Sequence, residues 1–255
     1  MLIDTHCHLD AAEFDPDRSQ LVERYRAAGV SGIVIPTIGR INFDSIAGLC
    51  REYPECRAAY GIHPMYVDRA EPGDLDILKQ MLVSGKPVAV GEIGLDRFVA
   101  ERDDARQELF FVEQLKLARE LDLPVLLHVR RAIDPVLKQL RRMRVVGGIA
   151  HAFNGSRQQA VEFIKLDFKL GFGGAMTWPR ANRIRELAAT LPLASIVLET
   201  DAPDIPPVWV GQGRNEPVEL PRIAQELAIL RDISVQEVIE ATGANARKVL
   251  PNAIW

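Results

Sequence analysis

The chain has 255 residues, of which 47% are hydrophobic and 26% are charged, and its formal net charge is −4 at pH 7. This composition is ordinary for a globular protein, and the length suffices for one barrel or two small domains. The negative charge argues against a protein that grips duplex DNA through a broad basic face, although a pair of metal ions could hold a phosphate at one spot.

The sequence shows neither a membrane-spanning segment nor a secretory signal. No apolar run reaches the ~18 residues of a membrane helix, and the start MLIDTHCHLD lacks the basic and long apolar regions of a secretory signal. Cys7, Cys50 and Cys56 cannot all pair with one another, and none belongs to a C-x-x-C motif. We therefore expect a cytoplasmic protein with reduced cysteines, no membrane association and no obligate protein partner.

Eight short β-like segments alternate with longer helical ones. Most of the β-like segments are rich in Val, Ile or Leu without strict alternation, which is typical of strands buried on both faces. They span residues 2–8, 32–38, 57–63, 87–93, 124–129, 147–152, 168–173 and 195–200. Amphipathic helices are predicted at residues 17–28, 105–121, 134–143, 156–166 and 180–191.

This alternation predicts an α/β fold, a (β/α)₈ TIM barrel that forms a single domain over residues 1–255. A doubly wound open sheet is the structural alternative. After the eighth strand, residues 201–221 are rich in Pro and Gly and are predicted to form a long loop. Helices at 218–230 and 234–249 follow as a C-terminal extension, and Ser234 with Glu237 forms a capping box for the last one.

The polar residues that carry chemistry gather at the carboxyl ends of the predicted strands. All five histidines lie at or just past such an end, Glu92 ends the fourth strand, and Asp201 ends the eighth. The histidines are His6, His8, His63, His128 and His151. Since barrel active sites lie at this face, we expect these side chains to share one site.

A metal centre is the chemistry that this set favours. In a strand, residues i and i+2 point to one face, so His6 and His8 aim together into the barrel mouth. Glu92, between glycines, has two oxygens with which to bridge two ions. His128 and His151 each close an apolar run and need a polar partner, for which a metal is suited. The predicted ligands are His6, His8, Glu92, His128, His151 and Asp201.

Other polar residues are assigned supporting roles. Asp201 would also take a proton from the attacking water. We interpret His63 as a catalytic residue that contacts the ligands or the substrate without binding metal. Asp96 either orients a ligand or loop or caps a helix, and Glu199 is expected to form a salt bridge deeper in the barrel. Candidate substrate contacts are Arg130, Arg214 and Asn215.

Seven motifs together resemble, in order along nearly the whole chain, the TatD family of metal-dependent deoxyribonucleases, within the amidohydrolase-like superfamily. They are IDTHCHL (3–9), GIHP (61–64), GEIGLD (91–96), PVLLH (124–128), HAFNG (151–155), ETDAP (199–203) and RNEP (214–217).

The resemblance implies a barrel with a two-metal site that hydrolyses phosphodiester bonds in DNA. It implies that His6, His8, Glu92 and Asp201 hold one ion. It further implies that Glu92 bridges to a second ion, which is held by His128 and His151. Imidazole with carboxylate suits zinc, manganese, cobalt or iron. Magnesium, which usually prefers all-oxygen shells, is a further candidate for supporting activity.

Three positions beside the ligands depart from the family pattern. Ala152 replaces a frequent Cys, Asp204 and Ile205 replace Tyr-Leu, and Arg97 precedes Phe98 where an aromatic residue is usual. All six ligands are intact, so the departures concern the substrate. They leave open an alternative hydrolase that acts on a small amide, ester or phosphoester. A purely structural metal site is disfavoured, since six ligands at a barrel mouth exceed what a structural ion needs.

Overall fold

In the computed structural model, which describes residues 1–253 and 255, the strands form one eight-stranded sheet. Each strand pairs in parallel with the next one in the chain, in the order β1 to β8. The strands are β1 (Leu2–Asp4), β2 (Val30–Pro36), β3 (Cys56–Tyr60), β4 (Ala89–Asp96), β5 (Val125–Arg130), β6 (Gly148–Ala150), β7 (Phe168–Phe172) and β8 (Ile196–Leu198).

Hydrogen bonds just beyond β1 close the sheet into a barrel. The backbone N–H and the hydroxyl of Thr5 both donate to the carbonyl of Leu198, each at 3.0 Å. The N–H of Asp201 donates to the carbonyl of His6 at 2.8 Å. The predicted barrel is therefore confirmed, and the doubly wound open sheet is wrong.

Nine helices are described between and after the strands. They are α1 (Arg18–Ala27), α2 (Phe43–Glu52), α3 (Asp74–Ser84), α4 (Asp104–Glu120), α5 (Ile133–Arg142), α6 (Arg157–Lys165), α7 (Asn182–Thr190), α8 (Leu220–Arg231) and α9 (Val235–Val249). The predicted helices are all present, and Ser234 accepts from the N–H of Glu237 at 3.1 Å at the start of α9. The prediction lacked α2 and α3. Each buries an apolar pair at helical spacing, Phe43 with Ile46 and Leu78 with Leu82, so the signal was present in the sequence and was not used.

The C-terminal extension closes the amino end of the barrel. Every strand except β7 contributes an apolar residue to a cluster inside the barrel, and Ala246, Val249 and Leu250 from the end of α9 join it. The strand members include Ile3, Val34, Ala59, Ala89, Leu126, Ile149 and Val197. A side chain at Gly243 would overlap the carbonyl of Met1, so α9 passes directly beneath β1. Among the residues that the structure describes, the carboxyl end of the barrel is the end left open for a site.

None of the helices within residues 1–253 and 255 combines the length and the hydropathy that crossing a membrane requires.

Candidate metal centre

The six predicted ligands meet at the carboxyl end of the barrel. Glu92 lies within β4, and His128 lies near the end of β5. His6 and His8 follow β1, His151 follows β6, and Asp201 follows β8. Among residues 1–253 and 255, three overlapping sets of donors lie within 4.8 Å of one another and could hold a metal ion. These sets are His6, His8 and Asp201; His6, Glu92 and His151; and His63, Glu92 and His128.

Glu92 is the centre of this cluster. Its Oε2 lies 3.1 Å from Nε2 of His6 and 3.8 Å from Nε2 of His8. Its Oε1 lies 2.9 Å from Nδ1 of His128 and 3.1 Å from Nε2 of His151. Burial opposes ionisation, but the surrounding histidines, His6 first, hold the pKa of Glu92 well below its usual range. One ionised carboxylate thus links two groups of histidines.

The first group has the spacing of ligands around a single ion. Nε2 of His6 lies 3.4 Å from Nε2 of His8 and 3.5 Å from Oδ1 of Asp201. Nε2 of His8 lies 3.8 Å from the same Oδ1. With metal–ligand bonds of about 2.0–2.2 Å, two ligands of one ion lie no more than about 4.4 Å apart. The donor set of imidazole nitrogens and carboxylate oxygens fits a divalent transition ion.

Backbone pairing beyond β1 explains why His6 and His8 face the same way. The strand ends at Asp4, four residues earlier than predicted, yet the N–H of Thr5 still bonds to β8 and that of Cys7 to Val34 of β2. This continued alternation keeps His6 and His8 on one face. Cys7 on the opposite face is fully buried.

Beneath the first group lies a buried acid that the sequence reasoning missed. It connects the first strand of the barrel to the segment after the last one. Asp4 accepts hydrogen bonds from the N–H of His6 (3.2 Å), the N–H of Thr200 (2.9 Å) and the hydroxyl of Thr200 (2.6 Å). Burial raises the pKa of Asp4 to about 7. An acid within the apolar start of β1, two residues before a histidine, was the available signal.

A second acid holds the ring of His128. Oδ2 of Asp96 lies 2.9 Å from Nε2 of His128, which leaves Nδ1 facing Glu92. Burial favours the neutral form of both side chains. This contact nevertheless lowers the pKa of Asp96 to about 2 and, together with Glu92, raises the pKa of His128. Oδ1 of Asp96 also accepts from the amides of Phe98 (2.8 Å) and Val99 (3.3 Å). Of the two predicted roles, Asp96 has the orienting one. The cap of α4 is Asp103.

His151 is held between two acids. Its Nε2 faces Glu92, and its Nδ1 lies 3.7 Å from Oε1 of Glu199. Although burial opposes it, Glu92 raises the pKa of His151 well above its usual value. Oε1 of Glu199 accepts from the N–H of Ala152 at 2.5 Å, while no hydrogen-bond partner is described for its buried Oε2. The expected salt bridge of Glu199 is therefore directed at a predicted metal ligand.

His63 lies beside the cluster, and a backbone amide engages one of its ring nitrogens. Its Nδ1 accepts from the N–H of Met65 at 3.1 Å, so the neutral ring carries its proton on Nε2. That Nε2 lies 3.7 Å from Oε1 of Glu92. Burial lowers the pKa of His63 to about 3, which keeps the ring neutral. A protonated Nε2 has no lone pair for a metal, so His63 is a hydrogen-bond donor at the edge of the site.

A cleft of about 1220 Å³ opens above these residues. Four of the residues that line it adopt positive φ without being glycine: Arg131 (54°), Ala152 (43°), Asp201 (58°) and Ile205 (45°). Such backbone is disfavoured, most of all for a β-branched side chain such as Ile205. Its concentration around the cleft is typical of functional sites, where the surrounding structure imposes the conformation.

The three candidate substrate contacts lie in different surroundings in the structure. Arg130 lines the cleft. Arg214 pairs with Asp17 at 2.7 and 2.8 Å and with Glu216 at 2.5 Å, and lies over the ring of Phe14. These ion pairs tie the long loop to the start of α1. They engage the guanidinium group away from the residues that line the cleft, and contact of Arg214 with a substrate stays a prediction.

Asn215 is also excluded from the cleft, because its side chain is fully buried. Its amide donates to the carbonyls of Thr200 and Asp204, each at 2.8 Å. These bonds hold the two ends of the segment that carries Asp201. Asn215 therefore shapes the loop that carries the predicted ligand Asp201, and its contact with a substrate stays a prediction.

Comparison with known proteins agrees with the resemblance seen in the motifs. Residues 3–251 match the family described as TatD related DNase. The Uncharacterized metal-dependent hydrolase YjjV of Escherichia coli K12 is 41% identical over 94% of this chain and 93% of its own length. The 3'-5' ssDNA/RNA exonuclease TatD of Erwinia tasmaniensis is 31% identical over 97% and 99%. The crystal structure of YjjV, a TatD homolog from E. coli K12, superposes with a TM-score of 0.93 at 40% identity and covers 98% of each chain.

Proposed function

The chain belongs to the TatD family of related DNases, and from that premise we propose that it is a metal-dependent hydrolase that cleaves phosphodiester bonds of DNA. The observation that carries the proposal is the position of Glu92, whose two oxygens face two separate groups of donors. A bridging carboxylate between two ions is the arrangement of enzymes that clamp both oxygens of an in-line displacement at phosphorus.

Two sets of residues would hold the metal. His6, His8 and Asp201 with Oε2 of Glu92 form the first set, because their donor atoms lie 3.1–3.8 Å apart. His128 and His151 with Oε1 of Glu92 form the second set. His63, although near enough to be grouped with Glu92 and His128, is assigned outside both sets because Met65 directs its proton to Nε2. Zinc or manganese suits these donors best, with magnesium as the alternative.

The chemistry divides among three residues. Divalent ions bound there would polarise a phosphate oxygen and make a water molecule more acidic. Asp201, whose side chain is 12% exposed at the floor of the cleft, accepts the proton of the attacking water. As the new P–O bond forms, the bond to the leaving 3′ oxygen breaks. Nε2–H of His63 donates a hydrogen bond to that oxygen, which takes its proton from a water molecule of the cleft. Glu92 keeps its position between the two sets throughout.

The size of the cleft favours a nucleic acid over a small ester or amide. Pockets for small molecules measure about 300–1,000 Å³, and this cleft of about 1220 Å³ is larger and open. The relative in Erwinia tasmaniensis is named for 3'-5' action on single-stranded DNA and RNA, which supports a single-stranded substrate here. The three cysteines are all unpaired, and we propose the reducing cytoplasm as the compartment.

The test is a nuclease assay on metal-free protein to which magnesium, manganese or zinc is returned. Single-stranded and duplex DNA, labelled at either end, would report both strand preference and direction. The double variant His6→Ala, Asp201→Asn controls for contaminating nucleases. We expect metal-dependent cleavage that the double variant loses.

A panel of small esters, amides and phosphoesters distinguishes the alternative. Turnover of one of these compounds, with no cleavage of DNA under any metal, would contradict the nuclease proposal and favour the small-molecule hydrolase.

A further inference from the structure

At one edge of the cleft, two arginine side chains lie over a partly exposed aromatic ring. Phe98, in the loop after β4, is 46% exposed. The guanidinium carbon of Arg130 lies 3.7 Å from the centroid of this ring, and that of Arg131 lies 4.6 Å from it. All three residues line the cleft above the candidate metal centre. We refer to Phe98, Arg130 and Arg131 as the arginine lip.

The charges of the arginine lip are not neutralised by neighbouring acids. Among residues 1–253 and 255, no carboxylate lies within 4.0 Å of either guanidinium group, in contrast to Arg214 with its two acidic partners. Asp134, the nearest acid along the chain, is instead engaged by the side-chain amide of Gln159 at 2.9 Å. In a protein of net charge −4, two unpaired arginines at the mouth of the site attract an anion.

The arginine lip is also built rigidly onto the metal centre. The amide of Phe98 donates to Asp96, the same carboxylate that holds His128. Arg130 follows His128 by two residues on β5, which places its Cα about 7 Å farther out along the strand. A group bound by the arginine lip therefore lies next to the metal centre and does not overlap it. Contact with the ring restricts the arginine side chains in advance, which lowers the entropic cost of binding.

The opposite side of the mouth has the reverse charge. In the ring of eight strands, β4 and β5 lie across from β8 and β1. The loops after β1 and β8 contribute Asp10, Glu13 and Asp204 to the cleft. A polyanionic strand is repelled there and attracted on the side of β4 and β5.

We propose that the arginine lip binds the phosphate next to the cleaved bond, in the part of the strand that leaves the cleft over β4 and β5. The proposal rests on the function proposed above and names residues that would determine substrate length. The fork of an arginine matches a phosphate in charge and geometry, and its flat surface accepts a stacked base.

Two substrates that differ by one phosphate test the proposal kinetically. The dinucleotide d(TpT) has only the cleaved phosphate, whereas d(TpTpT) offers a second one to the arginine lip. In Arg130→Ala and Arg131→Ala, we expect the loss in kcat/KM for d(TpTpT) to exceed the loss for d(TpT) by about tenfold, as removal of a charged hydrogen bond predicts. Arg142→Ala, at the far end of α5, is the matched control.

Binding to metal-free protein provides a readout that does not depend on turnover. Fluorescence anisotropy of a labelled oligothymidylate between 50 and 200 mM salt gives the slope of log affinity against log salt. We expect this slope to fall by about 0.7 for each arginine removed, as for one phosphate contact to a single strand. Phe98→Leu should weaken binding while retaining both charges, and therefore most of the slope.

The outcomes separate the two proposals. Equal losses on both substrates, together with an unchanged salt slope, would overturn the role of the arginine lip. If wild-type protein cleaves neither substrate with any metal but the slope still falls in the arginine variants, the phosphate site stands and the nuclease proposal fails.

Discussion

Asp96 determines which ring nitrogen of His128 faces the candidate metal centre. The carboxylate of Asp96 lies 2.9 Å from Nε2 of His128, while Nδ1 of the same ring lies 2.9 Å from Glu92. A carboxylate behind a histidine ligand fixes both the tautomer and the orientation of the ring. Asp96 is thereby a positioning residue for the second set of donors.

Asp96→Asn should weaken metal binding without unfolding the protein. The amide oxygen can still accept from Phe98 and Val99, but the amide NH₂ would then face Nε2 of His128. This would drive the ring proton to Nδ1, the atom proposed to bind the metal. We expect the affinity for one of two metal equivalents to fall about 10–100-fold, as measured by calorimetric titration of metal-free protein.

Asp103→Asn is the matched control, since Asp103 caps α4 outside the metal centre. If Asp96→Asn binds both metal equivalents with the same affinities as the wild type, the positioning role is refuted.

Asp201→Asn should separate metal binding from turnover. The amide oxygen retains a ligand atom near His6 and His8, but it cannot accept a proton from water. Loss of a general base lowers kcat by about 10²–10⁴-fold. Metal content by elemental analysis and kcat on a labelled oligonucleotide would be measured on the same preparation. Near wild-type turnover would rule out the base role.

His63→Ala should retain both metal equivalents and lose activity. The proton on Nε2 makes His63 a donor rather than a ligand, so its removal leaves both sets of donors complete. We expect kcat to fall about a hundredfold or more, in the range of a lost hydrogen-bond donor to a developing oxyanion. His63→Gln, which keeps an N–H donor, should recover part of this loss. Loss of a metal equivalent in His63→Ala would instead identify His63 as a ligand.

Arg214→Ala should affect stability rather than catalysis. The hydrogen bond from Arg214 lowers the pKa of Asp17 to about 2, below its usual 3.8. A depressed acid pKa stabilises the fold above pH 3.8, and this contribution is lost as the pH falls from 3.8 towards 2. We expect a slightly lower melting temperature at pH 7, because exposed ion pairs are screened by solvent.

The difference in melting temperature between the wild type and Arg214→Ala should shrink as the pH falls towards 2. Thermal melts followed by circular dichroism would measure it. A large change in KM at unchanged stability would restore the substrate contact that the ion pairs with Asp17 and Glu216 argue against.

Gly171→Ala should disturb the site through Glu199. A methyl group at Gly171 would overlap the Glu199 carboxylate, which is buried between His151 and the amide of Ala152. Overpacking of this kind costs about 1–3 kcal/mol, and displacement of Glu199 should also weaken metal binding. Gly73→Ala is the matched control, because nothing lies within 4 Å of a methyl group there. Denaturant melts and metal titration would detect both effects, and a wild-type result in both would contradict this account.

The location of the candidate site followed from the sequence because it depends on chain order. The carboxyl ends of parallel strands share one rim, so polar residues placed after apolar runs must meet there. This argument needed no exact strand boundary. Although β1 ends at Asp4 instead of residue 8, and β4 continues to Asp96 instead of ending at residue 93, His6, His8 and Glu92 still converge.

Side-chain partners distant in sequence could not be read in the same way. Arg214 and Asn215 belong to a motif close to Asp201. Arg214 is held by Asp17, just before α1, and Asn215 is buried under its own loop. The roles of Asp4 and Asp96 likewise depend on which atoms lie within hydrogen-bond distance across the barrel.

By itself, the sequence determined the repeating unit and the residue types at the open rim, because hydrophobic periodicity and chain order are local properties. Closure of the sheet was decided by the hydrogen bonds between the segment after β1 and β8. Only the tertiary structure decided which nitrogen of His63 and His128 faces Glu92, which arginines remain unpaired at the cleft, and how α9 closes the other end. Those outcomes depend on distances of a few ångströms between residues far apart in the chain, and packing sets them.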